Sequence, residues 1–321
     1  MNNNLMETIL FKKYCLNRSI KLAGDASKRI YYRAYNEDEK TYIMCFDNDF
    51  KEKKVSTFLD LNKIFIDGNV LVPKILDIDV NNGLILQEDL GDQTLLMELK
   101  GQSNRDFEFE IFKKVIDELI KINKISHKTT LMFDAKKLLE EVDITIDNLF
   151  VKYKKINHEE IDIRTDFEKI CQILDVKEKI YCHRDFHSKN IMVSDNAIRI
   201  IDYQDARLGI PQYDLVSLLD DCYYEIENKN KENLKRYYWE EFCVPQNLQT
   251  DYQSFLYYYD MMTVQRAFKA IGSFCLIYNR ENNSDYLQYV DFTFNKIINV
   301  LQKYNDFKSL ELKLCRLYGG N

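Results

Sequence analysis

The sequence predicts an α+β protein in two parts, a small N-terminal β-sheet lobe and a larger, mainly helical C-terminal lobe. Three observations carry that prediction. Four strand-like runs, at 28–35, 40–46, 75–80 and 84–88, flank one amphipathic segment at 51–66. Downstream of about residue 90, apolar residues recur at helical spacing in almost every segment. The exception is 180–202, where two short β-branched runs enclose a polar turn. Asp89-Leu90-Gly91-Asp92 breaks the pattern, so the lobes are placed at 1–89 and 90–321.

Each element has its own signal. Residues 5–16 suggest a short helix. KRIYYRAY (28–35) and KTYIMCF (40–46) read as antiparallel strands joined by Asn36-Glu37-Asp38-Glu39. Val55, Phe58, Leu59, Asn62 and Ile66 lie at helical spacing and make 51–66 one helix. Asn81-Asn82-Gly83 is a hairpin turn between the next two strands. In 107–123, positions 109, 112, 116, 119 and 120 share one helix face. Further helices are expected at 134–152, 161–175, 213–227, 230–242, 250–278 and 285–304.

Composition excludes several classes. The chain has 321 residues, 45% apolar and 30% charged, with only 9 Gly and 3 Pro, which favours a helix-heavy globular fold. A net charge of −7 and the absence of a long basic run argue against a nucleic-acid partner. No run is long enough and apolar enough for a membrane span, and the N-terminus lacks a leader pattern. The eight cysteines include no C-x-x-C pair and read as buried, reduced thiols. The expected location is cytoplasmic.

The stretch YCHRDFHSKNIMVSDNAIRIID (181–202) carries the chemistry. His183-Arg184-Asp185 is followed five positions on by Asn190, then by Asp202 after a second apolar strand. Protein-kinase-type phosphotransferases use H-R-D-x-x-x-x-N in this way, followed by a metal-binding aspartate. An acceptor hydroxyl needs a carboxylate to orient it and take its proton, and Asp185 suits that. Mg²⁺ is a hard cation that takes oxygen ligands, here the Asn190 amide and the Asp202 carboxylate. Folding the hairpin IMVS–IRII brings Asn190 and Asp202 side by side.

The first lobe is less explicit. Ala23-Gly24-Asp25-Ala26-Ser27 stands where a kinase covers ATP phosphates with backbone N–H groups, but G-x-G-x-x-G is absent. Ser27 can donate to a phosphate oxygen; an ordinary β-turn fits the segment equally. The strand at 40–46 lacks the usual phosphate-binding lysine, and Met44, Cys45 and Phe46 occupy its place. Arg29, Arg33 and Lys51 are alternative cations, and the sequence does not choose among them. Gln87-Glu88-Asp89-Leu90 stands where a hinge would offer backbone groups to adenine.

With these segments placed, the chain resembles the aminoglycoside phosphotransferase-like superfamily, and within it the bacterial anomeric N-acetylmuramate/N-acetylglucosamine kinases. AGDASKRIYYR (23–33), LQEDLGD (86–92), CHRDFHSKNIMV (182–193), IDYQDARLGIPQYDLVSLLDD (201–221) and VQRAFKAIGSFCLIYNR (264–280) carry the resemblance. It implies a protein-kinase-like two-lobed fold, with nucleotide bound by 1–89 and catalysis and substrate binding in 90–321. It implies ATP and Mg²⁺ as cofactors, Asp185 as catalytic base, and Asn190 and Asp202 as metal ligands. Ser27 would lie over the phosphates, and Glu88 and Leu90 would offer backbone groups to adenine. Asp214 would brace the catalytic loop.

Other assignments stay open at this level. His183 reads as structural. His187 and Asp205 are candidates for substrate contact, and Asp205 alternatively supports a metal-bound water. Gln265 and Arg266 are either a structural pair or sugar-facing, because a buried arginine needs partners. His127 and His158 read as surface residues. The leading function is an ATP- and Mg²⁺-dependent kinase acting on the anomeric hydroxyl of a small amino sugar, in cell-wall (peptidoglycan) recycling. The alternatives are an aminoglycoside or choline/ethanolamine phosphotransferase, for which the acidic residues Asp220, Asp221, Glu225 and Glu227 and the many tyrosines speak, and a nucleotide-binding pseudokinase module.

Overall fold

A computed structural model describes residues 9–22, 29–53, 56–102, 104–195 and 197–319. It has the expected class: a five-stranded antiparallel sheet near the N-terminus and a mostly helical larger part, with 54% of the described residues helical. The chain forms two compact units, Met1–Leu95 with Asn190–Gln204, and Leu96–Lys189 with Asp205–Asn321.

In the first unit the strands are β1 (Leu16–Lys21), β2 (Ile30–Asn36), β3 (Thr41–Phe46), β4 (Ile75–Asp79) and β5 (Leu84–Glu88). Their order in the sheet is β1-β2-β3-β5-β4. The helices are α1 (Ile9–Lys13), α2 (Asn48–Lys53) and α3 (Thr57–Asp67). Strand β1 is a correction to the sequence reading, which placed a helix through residue 16. The helix stops at Lys13, Cys15 takes a left-handed conformation, and the chain then pairs with β2. Leu10, Phe11, Leu16, Tyr32, Ala34, Tyr42, Met44, Leu84 and Leu86 form one apolar core against this sheet. Gly83 closes the β4–β5 turn at φ +64°, and a Cβ there would meet Lys51 Cβ and the Asp47 carbonyl.

The helix expected over 51–66 is two helices, α2 and α3. On α3 the inward residues are Phe58, Asn62 and Phe65, whereas Ile66 is exposed. The hairpin of β7 (Ile191–Ser194) and β8 (Ala197–Ile200) belongs to this unit. Val193 N–H donates to Gln93 C=O at 2.9 Å and Ile200 N–H to Leu71 C=O at 2.7 Å.

The second unit begins at Leu96, within α4 (Leu95–Lys100), and continues with α5 (Arg105–Asn123). Phe112, Ile116, Leu119 and Ile120 of α5 are buried, as its periodicity predicts. Helix α6 (Ala135–Thr145) runs into a π-helical segment, Ile146–Tyr153, and is followed by α7 (Arg164–Leu174). A small ladder pairs β6 (Ile180–Cys182) with β9 (Arg207–Gly209), a strand the sequence reading did not contain. Helix α8 (Gln212–Leu219) ends eight residues earlier than expected, at the Asp220-Asp221 pair. Then come α9 (Asn228–Tyr238), α10 (Tyr252–Glu281), α11 (Val290–Leu301) and α12 (Lys308–Gly319). Helix α10 is the spine of the unit: thirty residues long, N-capped by Asp251 accepting from Ser254 N–H at 2.7 Å, with α6, α8 and α11 packed along it. Among the described residues, no helix is long and apolar enough to cross a membrane.

Candidate active site

The loop after β6 is fixed from beneath. Asp214, in the first turn of α8, is fully buried. Its carboxylate accepts the backbone N–H of His183 at 2.6 Å and of Arg184 at 3.0 Å. Burial pushes the Asp214 carboxyl up to about 7, even though both N–H groups favour its charged form. The brace implied by the resemblance is therefore present. His183 is buried too and meets the Phe186 ring edge-on at 5.6 Å. Arg184 is held at φ +89°, an unusual conformation for a residue with a Cβ.

Asp185 follows. Its Oδ1 accepts from Arg266 Nη2 at 3.2 Å and from Lys269 Nζ at 3.1 Å. Arg184 Nε lies 3.9 Å from Oδ2. Burial raises the pKa of this carboxyl, but Lys269, Arg266, Arg184 and His187 together outweigh it and hold the group well below the usual carboxylate range. Asp185 is thus ionised, oriented and only partly enclosed.

Arg266 resolves one question that the sequence left open. It donates to Ser217 Oγ at 2.8 Å, to the Arg184 carbonyl at 2.9 Å and to Asp185. Gln265 donates to the Leu138 carbonyl at 3.2 Å and lies 3.3 Å from a Glu141 carboxylate oxygen, joining α10 to α6. Both are structural ties. Lys269 was missed in the sequence. The available signal was its position three residues after Arg266, on the same helix face.

His187 stands beside this group, edge-on to Tyr223 at 5.4 Å, and burial lowers its pKa. Asp205 accepts from Arg184 Nη1 at 2.7 Å and is about half exposed. Asp185, Arg184 and Asp205 therefore form a connected chain of charges within the second unit.

The other candidates lie in the first unit. Asn190 Nδ2 donates to Asp202 Oδ2 at 3.2 Å, so the hairpin does bring the two together. Asp202 is in the left-handed region at φ +66°, and Gln204 Nε2 donates to its Oδ1 at 2.5 Å. The next residue anchors it. The Tyr203 ring stacks on Phe58 at 5.2 Å, and Asn62 Nδ2 reaches the Tyr203 hydroxyl at 2.7 Å. The polar position inside the apolar face of α3 has this explanation.

An aspartate carboxylate and an asparagine amide suit Mg²⁺, which keeps several waters and takes further oxygens from substrate phosphates; the amide, whose nitrogen faces Asp202 here, would turn its oxygen to the ion. Among the described residues no group of three or more His, Cys, Asp or Glu converges as a metal cage. The donor set fits a shared Mg²⁺ and not a closed structural site.

Ser27 lies outside the described residues. Glu88 ends β5, and its N–H donates to the Lys74 carbonyl at 2.9 Å, so the backbone group it could offer a ligand is its carbonyl. Its side chain pairs with Arg199 of β8 at 3.3 Å. Leu90 lies in the half-buried turn that follows. Arg33 is committed to that turn, binding Asp89 through Nε at 2.6 Å and Asp92 through Nη1 at 2.8 Å. Arg29 pairs with Asp47 at 3.0 Å, and Lys51 is exposed over the Phe46 ring.

The profile of the phosphotransferase enzyme family (APH) matches residues 20–252, most of the chain. The chain belongs to this family. It is a phosphotransferase acting on a hydroxyl group. Similar to it is the N-acetylmuramate/N-acetylglucosamine kinase of Neisseria meningitidis serogroup B, at 27% identity over 92% of this chain and 90% of the relative. Among solved structures, the choline kinase LicA from Streptococcus pneumoniae has a TM-score of 0.63 at 14% identity, covering 94% of this chain and 99% of that one. The ADP-bound aminoglycoside phosphotransferase APH(2'')-Ib has a TM-score of 0.60 at 14% identity, covering 89% and 95%. These two structures share the fold with this phosphotransferase.

Proposed function

We propose that this phosphotransferase transfers the γ-phosphate of ATP, with Mg²⁺, to the anomeric hydroxyl of N-acetylmuramate or N-acetylglucosamine. The observation that carries it is Asp185, an ionised carboxylate held by a braced loop with one face left partly open. The printed name of the meningococcal relative supports the acceptor.

In this reading the N-terminal lobe, 1–89, binds the nucleotide. Ser27 covers the phosphates, and Glu88 and Leu90 offer backbone groups to adenine. Asn190 and Asp202 would hold Mg²⁺, which supplies charge neutralisation on the phosphates. The lobe 90–321 presents Asp185 to the acceptor. Asp185 orients the hydroxyl and takes its proton. The hydroxyl oxygen forms the new O–P bond as the bond from the γ-phosphorus to the β-phosphate oxygen breaks, its electron pair leaving with ADP. Most of the acceleration comes from positioning and electrostatics. The anomeric hydroxyl is a hemiacetal group, more acidic than an ordinary alcohol, so a base as weak as Asp185 suffices. His187 and Asp205 contact the sugar, and the product enters cytoplasmic cell-wall sugar recycling.

A cationic acceptor fits less well, because three of the four acidic groups named for it, Asp220, Asp221 and Glu227, are already engaged. Asp220 binds Lys231 at 2.8 Å and the Tyr259 hydroxyl at 2.6 Å. Asp221 accepts from the backbone N–H of Ser188 at 2.9 Å and of Tyr223 at 3.0 Å. Glu227 caps α9. The rings of Tyr223 and Tyr286 receive the chain's own Lys189 ammonium, at 4.0 and 4.7 Å.

The test is transfer of labelled γ-phosphate to a panel of N-acetylmuramate, N-acetylglucosamine, glucose, kanamycin, choline and ethanolamine. Transfer to the two N-acetylated sugars is expected. Transfer to the cationic compounds alone would overturn the reading. ATP binding without transfer to any acceptor on the panel would overturn the acceptor assignment and make the nucleotide-binding module the reading to pursue.

A further inference from the structure

The basic groups around Asp185 are not equivalent. Arg266 is distributed over Ser217, the Arg184 carbonyl and Asp185, so its guanidinium is committed to the protein. Arg184 gives its strongest bond to Asp205, at 2.7 Å. Lys269 differs. Its ammonium has three donors, and among the described residues it spends one, on Asp185 Oδ1 at 3.1 Å. Yet its side chain is only 14% exposed. A largely buried ammonium with two unspent donors is costly, and burial with the neighbouring Arg266 charge lowers its pKa. An anionic partner would relieve both effects.

The sequence of the loop points the same way. Residues 186–189 are Phe-His-Ser-Lys. His187 is held toward its neutral form by burial, and Lys189 lies over tyrosine rings. The His187 N–H donates to the Asp185 backbone carbonyl at 3.1 Å. Helix α10 supplies a lysine at the catalytic carboxylate itself, Lys269. Lys269 is bound to the carboxylate that takes the acceptor's proton, which puts its ammonium one carboxylate away from the attacking oxygen. In a phosphoryl transfer that oxygen attacks a phosphorus bearing three charged oxygens.

We infer that Lys269 is a catalytic residue: it bridges Asp185 and a non-bridging oxygen of the transferring phosphoryl group, stabilising the charge there during transfer. This rests on the phosphotransfer reading above and adds a residue to it. The proton still goes to Asp185 and the electron pair still leaves on ADP; Lys269 remains protonated throughout.

The experiment compares wild type with Lys269→Met and Lys269→Arg in the intact chain. Two quantities are measured: steady-state transfer to N-acetylglucosamine, and the affinity for MgADP with and without aluminium fluoride, a planar mimic of the transferring group. Lys269→Met is expected to lower kcat by about 100-fold or more, with KM for ATP within about 3-fold. It should remove the tightening that aluminium fluoride gives, while leaving MgADP affinity unchanged. Lys269→Arg should recover part of both. If the Met protein is unfolded by circular dichroism, Lys269→Gln is read in its place. A wild-type kcat in the variant, or a reduced kcat with aluminium fluoride tightening intact, would overturn the inference and leave Lys269 a structural counter-charge. A wild-type protein that phosphorylates none of the sugars refutes the acceptor assignment, and the aluminium fluoride comparison still reads Lys269 by itself.

Discussion

The buried carboxylate of Asp214 accepts the backbone N–H of His183 at 2.6 Å, thirty-one residues away in sequence. With the matching bond to Arg184 at 3.0 Å, it fixes two consecutive peptides immediately before Asp185. Asp214→Ala leaves both N–H groups without their acceptor in a dry site, at a cost of about 1–3 kcal/mol each. The expected outcome is a lower melting temperature and a fall in kcat, with ATP affinity little changed. Thermal unfolding and steady-state kinetics on the same sample check it.

The same residue gives a pH dependence. Burial raises its pKa from the ordinary 3.8 to about 7. Between those values the folded protein keeps a proton that the unfolded chain has released, so this group's contribution to stability falls as pH rises through the window. Asp214→Asn does not titrate. The stability difference, wild type minus Asp214→Asn, should therefore shrink between about pH 4 and pH 7 and be flat above it. A difference that grows across that range would contradict the raised pKa.

Gly272 on α10 lies against Thr145, whose hydroxyl donates to the carbonyls of Glu141 at 3.0 Å and Phe268 at 3.2 Å. A Cβ at Gly272 would overlap the Thr145 hydroxyl and come within 2.7 Å of its Cα. Gly272→Ala should destabilise by about 1–3 kcal/mol through overpacking. Denaturant unfolding of the variant checks this.

The β7–β8 hairpin and the helical lobe were legible because their signals are local. The short apolar runs that begin at Ile191 and end at Ile200 flank a polar turn, and α5 repeats its apolar face over five turns. Strand β1 was not, because only Leu16 of its six residues is buried and its conformation comes from pairing with β2. The three-residue β9 exists because Gly209 allows close approach to Cys182 and Phe133. Lys269 and Asp185 are 84 positions apart, and nothing local announces their contact. Asn62 stood out only as a polar residue on an apolar face, with its partner Tyr203 supplied by the fold.

Asp202 is oriented by its neighbour Tyr203, packed on Phe58 and bonded to Asn62. Asp202→Asn removes the charge while tolerating the left-handed backbone, and should cost about 100-fold or more in Mg²⁺-supported kcat/KM. Tyr203→Ala, which leaves both candidate ligands intact, should raise the Mg²⁺ needed for half-maximal activity by about 10–100-fold. Titrations of activity with Mg²⁺ separate the two.

Lys189 occupies the tyrosine rings that a quaternary ammonium would use. Choline should neither bind nor inhibit the wild-type protein at millimolar concentration. Lys189→Ala should acquire measurable choline binding by calorimetry. Choline binding by the wild type would return the cationic-acceptor reading.

In the proposed function, Asp185 directs phosphate onto an anomeric oxygen. The most direct measurement is phosphorus NMR of the product formed from N-acetylglucosamine, MgATP and wild-type protein, repeated with Asp185→Asn. The expected product is acid-labile, its phosphorus couples to the anomeric proton, and its rate of formation falls by about 10²–10⁴-fold in the variant. Phosphorus attached at any other sugar position, or an undiminished rate with Asp185→Asn, would contradict this reading.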